Sequence, residues 1–231
     1  MTGSSNKAPA KAATGSRIDQ IRLTEVFLSL QGESTSVGLP TVFVRLTGCP
    51  LRCGYCDTAY AFHGGTLTDV DEVLERVAAF DTRHVTVTGG EPLAQPGALG
   101  LMTRLADAGH EVSLETSGAL DVSQVDVRVR RIVDIKTPGS GEVGRNRWEN
   151  LSLCTARDEL KFVITSRSDY EWAKLKCDEL GLYGHPSEVL FSPAAGELSP
   201  RDLADWIVAD RIPVRLQIQL HKLLWGDEPG R

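Results

Sequence analysis

The sequence contains no long apolar run. Its apolar stretches are only as long as strands, and no window approaches the roughly 20 apolar residues that span a bilayer. The sequence also lacks an excess of positive charge, since 25 Lys and Arg stand against 31 Asp and Glu and give a formal net charge of −6. A chain with this balance has no electrostatic footprint for nucleic acid or an anionic membrane. We therefore expect neither of these partners, and we expect a small-molecule substrate.

Cysteine is scarce and unevenly distributed. The five cysteines are an odd number, and three of them crowd between residues 49 and 56. This is a poor pattern for the disulfide framework of a secreted protein, so we expect a reducing compartment, the cytoplasm. Cys154 and Cys177 have no metal-ligand spacing to each other, and we interpret them as buried apolar residues or surface thiols.

The first 20 residues have no apolar core and no periodicity. They are rich in Ala, Ser, Gly and Lys and predict a disordered leader over residues 1–20. This leader lacks the hydrophobic segment of a secretory signal, whereas an organellar transit peptide stays open as an alternative. The apolar fraction of 41% suffices for one substantial core, and we predict a single domain over residues 21–231.

Strand-like and helix-like segments alternate along the rest of the chain. Apolar alternation predicts strands at 41–47, 84–88, 111–115, 131–136, 160–165, 188–191 and 214–220. Helical periodicity and end signals predict helices at 70–78, with Thr68 as N-cap, and at 96–109, 169–180 and 200–209. Strands separated by such helices imply right-handed crossovers. We therefore predict an α/β fold, a barrel or partial barrel of about seven parallel strands, with its site at their carboxyl ends.

The cysteine-rich segment follows the first predicted strand. Cys49, Cys53 and Cys56 form a C-x3-C-x2-C pattern, and thiolates held this closely on one loop bind a soft metal centre. A structural zinc ion stays open as an alternative, with His63 as the nearest fourth ligand. A [4Fe–4S] cluster would instead keep one iron free, a vacancy that the amino and carboxylate groups of S-adenosylmethionine (SAM) fit.

A second motif follows the next predicted strand. Thr88-Gly89-Gly90-Glu91-Pro92 stands there, and together with the cysteine spacing it resembles the radical SAM superfamily. The resemblance implies an incomplete (β/α) barrel with parallel strands and outer helices. It also implies a [4Fe–4S] cluster on the three cysteines and reductive cleavage of SAM to a radical, with electrons from a reductant such as flavodoxin or ferredoxin.

Three further segments resemble one family in that superfamily, the 7-carboxy-7-deazaguanine synthases. They are Ser29-Leu30-Gln31-Gly32-Glu33, Cys56-Asp57-Thr58 and the run from Leu216 to Lys222. This resemblance spans about residues 20–228 and implies a lyase that converts 6-carboxy-5,6,7,8-tetrahydropterin to 7-carboxy-7-deazaguanine with loss of ammonia. The activity belongs to the biosynthesis of queuosine and other deazapurines. It implies a homodimer and assistance by Mg²⁺.

The same resemblance assigns the substrate contacts, which are Leu30, Gln31, Gly32, Glu33, Arg45 and Thr88. The chemistry of these side chains is compatible, because Glu33 could accept paired N–H bonds from the edge of a pterin and Arg45 could grip a carboxylate with its planar fork. For the cofactors we expect contacts from Tyr55, Cys56, Asp57, Gly89, Gly90, Glu91, Glu115, Asp134 and Lys136. The glycines suit that role, since a residue without Cβ lets the backbone approach a ligand closely.

Two polar residues carry more specific expectations. Thr58 would offer a hydroxyl oxygen to Mg²⁺, which prefers oxygen ligands and retains several waters, although a turn threonine also often bonds its own loop. His221 is a possible catalytic acid or substrate contact, or a structural histidine that caps the last strand. Beyond the cofactor ligands, the sequence indicates no other catalytic residue.

Two other functions stay open at this point. A glycyl-radical activase shares the cysteine spacing and the compact size but acts on a protein, and Gln31-Gly32-Glu33 and the segment 219–222 argue against it. A non-catalytic iron–sulfur or zinc protein, serving as an electron carrier or scaffold, is the alternative from a different class.

Overall fold

The computed structural model describes residues 19–226, 228 and 230. The predicted leader lies outside this part of the chain except at its carboxyl end, where Gln20 begins the first strand. Within the described residues, no helix combines the length and the apolar character that crossing a membrane requires.

In this part of the chain nine strands form one sheet. They are β1 (Gln20–Leu30), β2 (Pro40–Leu46), β3 (Thr66–Asp69), β4 (His84–Gly89), β5 (Glu111–Thr116), β6 (Arg130–Ile135), β7 (Glu159–Ile164), β8 (Glu188–Pro193) and β9 (Arg215–Leu216). Their order is β3-β1-β2-β4-β5-β6-β7-β8-β9, with β3 and β9 at the two ends. The sheet is therefore open, which confirms the predicted incomplete barrel.

Among the residues that the structure describes, four α-helices connect strands on the outer side of the sheet, and a fifth follows β9. They are α1 (Val70–Ala78), α2 (Gly97–Asp107), α3 (Arg167–Glu179), α4 (Pro200–Asp210) and α5 (Leu220–Trp225). Shorter 3-10 turns occupy other connections, at Ala59–Phe62, Pro92–Ala94, Pro138–Ser140, Val143–Arg145, Trp148–Leu153 and Leu182–Gly184. The first four α-helices agree with the predicted helices to within a few residues.

The parallel part of the sheet agrees with the prediction, and its antiparallel part was not predicted. The strands β2 and β4 to β9 pair in parallel, which makes seven. In contrast, β1 pairs antiparallel with both β2 and β3. The sequence analysis assigned no strand to either β1 or β3.

Two predicted boundaries are wrong. Thr68 lies in β3, and Asp69 is the N-cap of α1. The strand predicted at 214–220 is reduced to two residues, because the Leu220 N–H donates to the Gly32 carbonyl at 2.9 Å and begins α5. His221 is consequently a helical residue and does not cap a strand.

Alternation divides most strands between a packed face and a face that lines a cavity. On β2, Val42 and Val44 belong to a buried apolar cluster under α1 and α2, whereas Phe43 and Arg45 line the cavity on the other side. A second cluster joins β6 to β8 with α3 and α4. It contains Cys154 and Cys177, both buried, so of the two interpretations left open for them, buried apolar residues is correct and surface thiols is wrong.

Candidate active site

A cavity of about 670 Å³ opens at the carboxyl ends of the parallel strands. Every site residue predicted from the sequence lines it except Glu91. The lining includes Leu30, Gln31, Gly32, Glu33, Arg45, Cys49, Cys53, Tyr55, Cys56, Asp57, Thr58, Thr88, Gly89, Gly90, Glu115, Asp134, Lys136 and His221. Loops that are scattered along the sequence thus meet on one rim, as the parallel topology requires.

The three cysteines of the loop after β2 have partly buried thiols that face this cavity. Burial raises the pKa of each thiol, and the nearby ammonium of Lys136 opposes the rise. Such thiols release their protons when they bind metal. Among the described residues, no three Cys, His, Asp or Glu side chains converge as a single small metal ion would require. A four-iron cluster makes a different demand, because each cysteine binds a separate iron, and the thiol set fits that group.

Gly89 at the end of β4 and Gly90 after it pack against the backbone at the end of β2 and in the cysteine loop. A Cβ on Gly89 would lie 2.2 Å from the Leu46 carbonyl oxygen, and one on Gly90 would lie 2.0 Å from the Gly48 carbonyl oxygen. The Gly90 N–H donates to Leu46 at 3.0 Å. These contacts with the end of β2 and with the cysteine loop already require glycine at both positions, and both residues also line the cavity, as the expected approach of a ligand requires.

Glu91 holds loops together and its carboxylate does not reach the cavity. The side chain is completely buried. It accepts hydrogen bonds from the Ser117 N–H at 2.7 Å, from the Thr116 hydroxyl at 2.9 Å and from the Leu93 N–H at 3.0 Å. Its own N–H donates to the Gly48 carbonyl at 2.8 Å. The expected cofactor contact of the Glu91 side chain is therefore replaced by a link between the ends of β2, β4 and β5.

Two polar atoms in the cavity wall have no hydrogen-bond partner among the described residues. They are Oδ1 of Asp134 and the hydroxyl of Tyr55, and both are buried. The second carboxylate oxygen of Asp134 accepts from the Lys136 ammonium at 2.9 Å, and that ammonium lies 5.7 Å from the centre of the Tyr55 ring. An unpaired buried acceptor beside an unpaired hydroxyl fits a ligand that carries hydroxyl groups, such as the ribose of SAM.

A buried ion pair crosses the floor of the cavity. The Lys161 ammonium on β7 donates to Glu33, and the Gln219 amide donates to the other oxygen of Glu33 at 2.8 Å. Burial by itself would lower the pKa of Lys161, but the charges of Glu33, Asp134 and Glu115 raise it above its usual range. Lys161 is therefore a permanent cation at the centre of an acidic group of side chains.

Glu115 lies deeper in the same group. The Thr88 hydroxyl donates to its carboxylate at 2.8 Å, and the Gln31 amide lies 3.5 Å from its other oxygen. Burial raises the pKa of Glu115, and the negative charge of Glu33 raises it further. Glu33 and Glu115 thus have different environments, since only Glu33 has a direct cationic partner.

The Asp57-Thr58 pair lies at the edge of the cysteine loop. The Thr58 hydroxyl donates to the Asp57 carboxylate at 2.6 Å, and the Gln219 amide donates to its other oxygen at 3.1 Å. Partial burial would raise the pKa of Asp57, but these two hydrogen bonds and the charge of Lys161 keep it below its usual value. Thr58 thus bonds a side chain of its own loop, and its oxygen keeps lone pairs for a cation.

The ring of His221 lies against Gly32, since a Cβ there would be 2.0 Å from its Nδ1. Burial lowers the pKa of His221, which keeps the imidazole neutral near pH 7. This geometry accounts for glycine at position 32 and brings α5 to the first loop.

Three residues at the site were not predicted from the sequence, namely Lys161, Gln219 and Glu25. A lysine inside the apolar run of β7 is the signal that could have revealed Lys161, because an unpaired lysine is rarely placed among buried strand residues. Gln219 stands in a segment that was noted only for its resemblance. Glu25 lies in the strand that was not predicted, opposite Arg45.

Comparison with known proteins identifies the family. The model described as the Radical SAM superfamily matches residues 43–193, which contain the three cysteines and the Gly-Gly-Glu-Pro turn. A 7-carboxy-7-deazaguanine synthase from Chlorobaculum tepidum is 47% identical over 211 residues, which cover 90% of this chain and 96% of that protein. The chain belongs to the 7-carboxy-7-deazaguanine synthase family of radical SAM proteins.

Other members of the 7-carboxy-7-deazaguanine synthase family are similar along most of their length. The protein from Koribacter versatilis is 43% identical over 222 residues, which cover 90% of this chain and 98% of that protein. The crystal structure of QueE from Escherichia coli superposes with a TM-score of 0.70 at 25% identity, over 87% of this chain and 95% of that one. Streptococcus suis SuiB bound to S-adenosylmethionine shares the fold, with a TM-score of 0.54 at 13% identity over 74% of this chain and 45% of that one.

Proposed function

We propose that this radical SAM enzyme converts 6-carboxy-5,6,7,8-tetrahydropterin to 7-carboxy-7-deazaguanine with loss of ammonia, in the biosynthesis of queuosine and other deazapurines. The observation that carries the proposal is the convergence of three thiols, an acidic pair and an arginine on one cavity. The identity of 47% to a 7-carboxy-7-deazaguanine synthase over nearly the whole chain supports it.

The residues around the cysteine loop would hold the cofactors. Cys49, Cys53 and Cys56 would bind the [4Fe–4S] cluster, while Asp134 and Tyr55 would bond SAM. With both groups bound, they would supply the radical chemistry of the reaction, and the residues of the cavity would hold the substrate next to them. Lys136 places a positive charge beside the thiols and so favours their ionised, metal-binding form.

The opposite wall would hold the pterin. The rings of Phe27 and Phe43 stack with centroids 5.1 Å apart and an interplanar angle of 14°, and both line the cavity. They provide an apolar wall against which a flat ring can lie. Glu33 keeps lone pairs beyond those used by Lys161 and Gln219, so it can accept N–H bonds from the pterin edge.

Two further residues would fix the orientation and the reactive geometry of the substrate. The guanidinium of Arg45 would bind the substrate carboxylate through two parallel N–H bonds. The Thr88 hydroxyl and the Glu115 carboxyl bond each other and would present polar atoms to the ring edge. Holding the ring within reach of the SAM site, away from water, is the contribution of the protein to catalysis.

The proposed site includes Mg²⁺. The Thr58 oxygen would supply one ligand, and the substrate and water would supply others, so the protein alone should bind the ion weakly. The ionised Asp57 carboxylate beside it favours a cation electrostatically. We also propose that the enzyme is a homodimer of the cytoplasm that receives electrons from flavodoxin or ferredoxin.

The deciding experiment is product analysis. The full chain is reconstituted with iron and sulfide under anaerobic conditions and incubated with SAM, dithionite and 6-carboxytetrahydropterin, with a Cys53→Ala variant in parallel. We expect mass spectrometry to detect 7-carboxy-7-deazaguanine only with the parent protein. Formation of 5′-deoxyadenosine without this product would show that 6-carboxytetrahydropterin is not the substrate. Absence of SAM cleavage would favour a non-catalytic iron–sulfur protein.

A further inference from the structure

Strand pairing places a carboxylate directly opposite the proposed substrate-binding arginine. In the antiparallel register of β1 and β2, Glu25 is the partner of Arg45 and Phe27 is the partner of Phe43. Residues opposite each other in such a pair project to the same face of the sheet. Arg45 lines the cavity on that face.

The Arg45 guanidinium contacts a carboxylate through its Nε and two aromatic rings through its central carbon. Its Nε donates to Oε1 of Glu25 at 2.7 Å. The rings of Phe27 and Tyr60 each lie 5.7 Å from its central carbon. Among the described residues, the two terminal nitrogens of Arg45 have no hydrogen-bond partner, so the fork that recognises a carboxylate is not occupied by these contacts.

Tyr60 completes the arrangement from a different element. It belongs to the turn Ala59–Phe62 that follows the cysteine loop, and its hydroxyl donates to the same Oε1 of Glu25 at 2.8 Å. A carboxylate oxygen that accepts two donors has a fixed position.

We propose that Glu25 and Tyr60 are positioning residues that orient Arg45 toward the carboxylate of the substrate. This inference rests on the proposed role of Arg45 in binding that carboxylate. A free arginine side chain loses much rotamer freedom when it binds a ligand, and the contacts with Glu25 and Tyr60 remove part of this loss before binding. Because Glu25 uses only the Nε hydrogen, it orients the fork without blocking it.

The arrangement also explains why a second negative charge is tolerated beside an anion site. The Tyr60 hydroxyl and the Arg45 guanidinium both donate to Glu25, and they neutralise part of its charge. Glutamine at position 25 would keep an acceptor oxygen, whereas alanine would remove it. Substitutions at position 25 can therefore distinguish the effect of the acceptor oxygen that orients Arg45 from the effect of the negative charge of Glu25.

The test compares binding of two ligands to the reconstituted enzyme with SAM present. Dissociation constants are measured by isothermal titration calorimetry for 6-carboxytetrahydropterin and for tetrahydropterin, which lacks the carboxylate. We expect Glu25→Ala to weaken the first ligand roughly tenfold or more and to leave the second within about twofold. Tyr60→Phe should have a smaller effect of the same selectivity, and Glu25→Gln should retain most of the parent affinity.

A double-mutant cycle with Arg45→Met distinguishes positioning from a general structural role. If Glu25 acts through Arg45, Glu25→Ala adds no further loss in the Arg45→Met background. The matched control is Glu111→Ala, which breaks an exposed pair with Arg83 at the amino end of β5 and should change neither affinity. Additive losses, or equal weakening of both ligands, would overturn the proposal. Unchanged affinity in Arg45→Met itself would refute the proposed carboxylate contact instead.

Discussion

At the scale of single residues, the described chain shows two different ways of burying a carboxylate. Glu91 has no cationic partner among the described residues. It is surrounded by N–H and O–H donors from the end of β5, from Ser117 after it and from Leu93 in the turn after β4. Glu33 has an ammonium partner. Charge-assisted hydrogen bonds can replace a counter-ion when donors converge. The two residues should therefore respond differently to substitution.

Glu91→Ala is expected to destabilise the protein itself. Removing the carboxylate leaves the Ser117 N–H, the Leu93 N–H and two hydroxyls without their acceptor, so the free energy of unfolding should fall by about 3 kcal/mol or more. Urea denaturation of the protein without a cluster measures this loss, and Glu149→Ala on an exposed 3-10 turn is the control. An unchanged free energy of unfolding combined with lost SAM affinity would instead indicate a direct cofactor contact.

Glu115 should produce a specific pH dependence of stability. Its pKa is raised in the folded protein by burial and by Glu33, so folding is favoured while the group is protonated. That contribution is lost as the pH rises from the ordinary glutamate value of 4.5 through the folded-state pKa. Urea denaturation across this range should show that Glu115→Gln loses less stability than the parent protein.

Asp158 provides a control for the direction of this pH dependence. Hydrogen bonds from Arg131 lower the pKa of Asp158 despite its burial, so its contribution is lost as the pH falls. At neutral pH, Asp158→Asn should therefore be less stable than the parent protein, which is the opposite of the effect expected for Glu115→Gln. Parallel stability curves for Glu115→Gln and the parent would contradict the prediction.

The site residues could be predicted where a short motif carries them. The cysteines follow from local spacing. Gly89 and Gly90 follow from a motif that resembles one of the superfamily, and Glu33 and Arg45 follow from a family resemblance. Lys161 could not be predicted in this way, because its contact with Glu33 joins residues 128 positions apart in the sequence. Local sequence specifies which polar residues exist, whereas the fold alone decides which of them meet.

At the scale of elements, the strands that the sequence analysis found are the parallel ones. Most of them carry a short run of apolar residues, alternating or continuous, and an α-helix follows four of the seven. β1 was missed because a bulge between Leu23 and Glu25 shifts the register. Its buried residues are Ile21 and Leu23 before the shift, and Val26 packs against the core after it. The apolar period of two is therefore broken within the strand.

Gly90→Ala tests the contact between the β4 turn and the cysteine loop. The added Cβ would meet backbone atoms of Gly48, which cannot rotate away as a side chain could. We expect a loss of about 1–3 kcal/mol in stability and a lower iron content after reconstitution. Gly144→Ala is the matched control, since a Cβ there would meet no atom within 4 Å. Parent-like iron content in Gly90→Ala would show that the loop can adapt.

At the scale of the whole molecule, the loop after β1 connects distant parts of an open sheet. The Thr35 N–H donates to Glu159 on β7 at 3.1 Å, and the Gly32 carbonyl accepts from Leu220 on α5 at 2.9 Å. Glu33 bonds both Lys161 and Gln219. The sheet order places β1 near one end and β7 to β9 at the other, so these contacts tie the two sides together over the cavity.

Lys161→Met tests how much the ion pair between Lys161 and Glu33 contributes to the stability of the fold. The Lys161 side chain is 13% exposed, as is that of Glu33, so the substitution leaves a largely buried carboxylate without a counter-ion, beside Glu115. Such an uncompensated charge costs about 3 kcal/mol of folding stability, measurable by urea denaturation. Lys174→Met, which removes a more exposed cation from Asp210, should cost less than about 1 kcal/mol.

The combination of Lys161→Met with Glu33→Gln separates stability from function. Removing both charges removes the uncompensated carboxylate, so the double variant should regain most of the lost stability. Its affinity for the pterin should stay low, because the amide at position 33 no longer offers two acceptor oxygens to paired N–H groups. Recovery of both properties would show that Glu33 serves the fold alone. Additive loss of stability in the double variant would show that the Lys161 cation stabilises the protein through groups other than Glu33, such as Glu115 and Asp134.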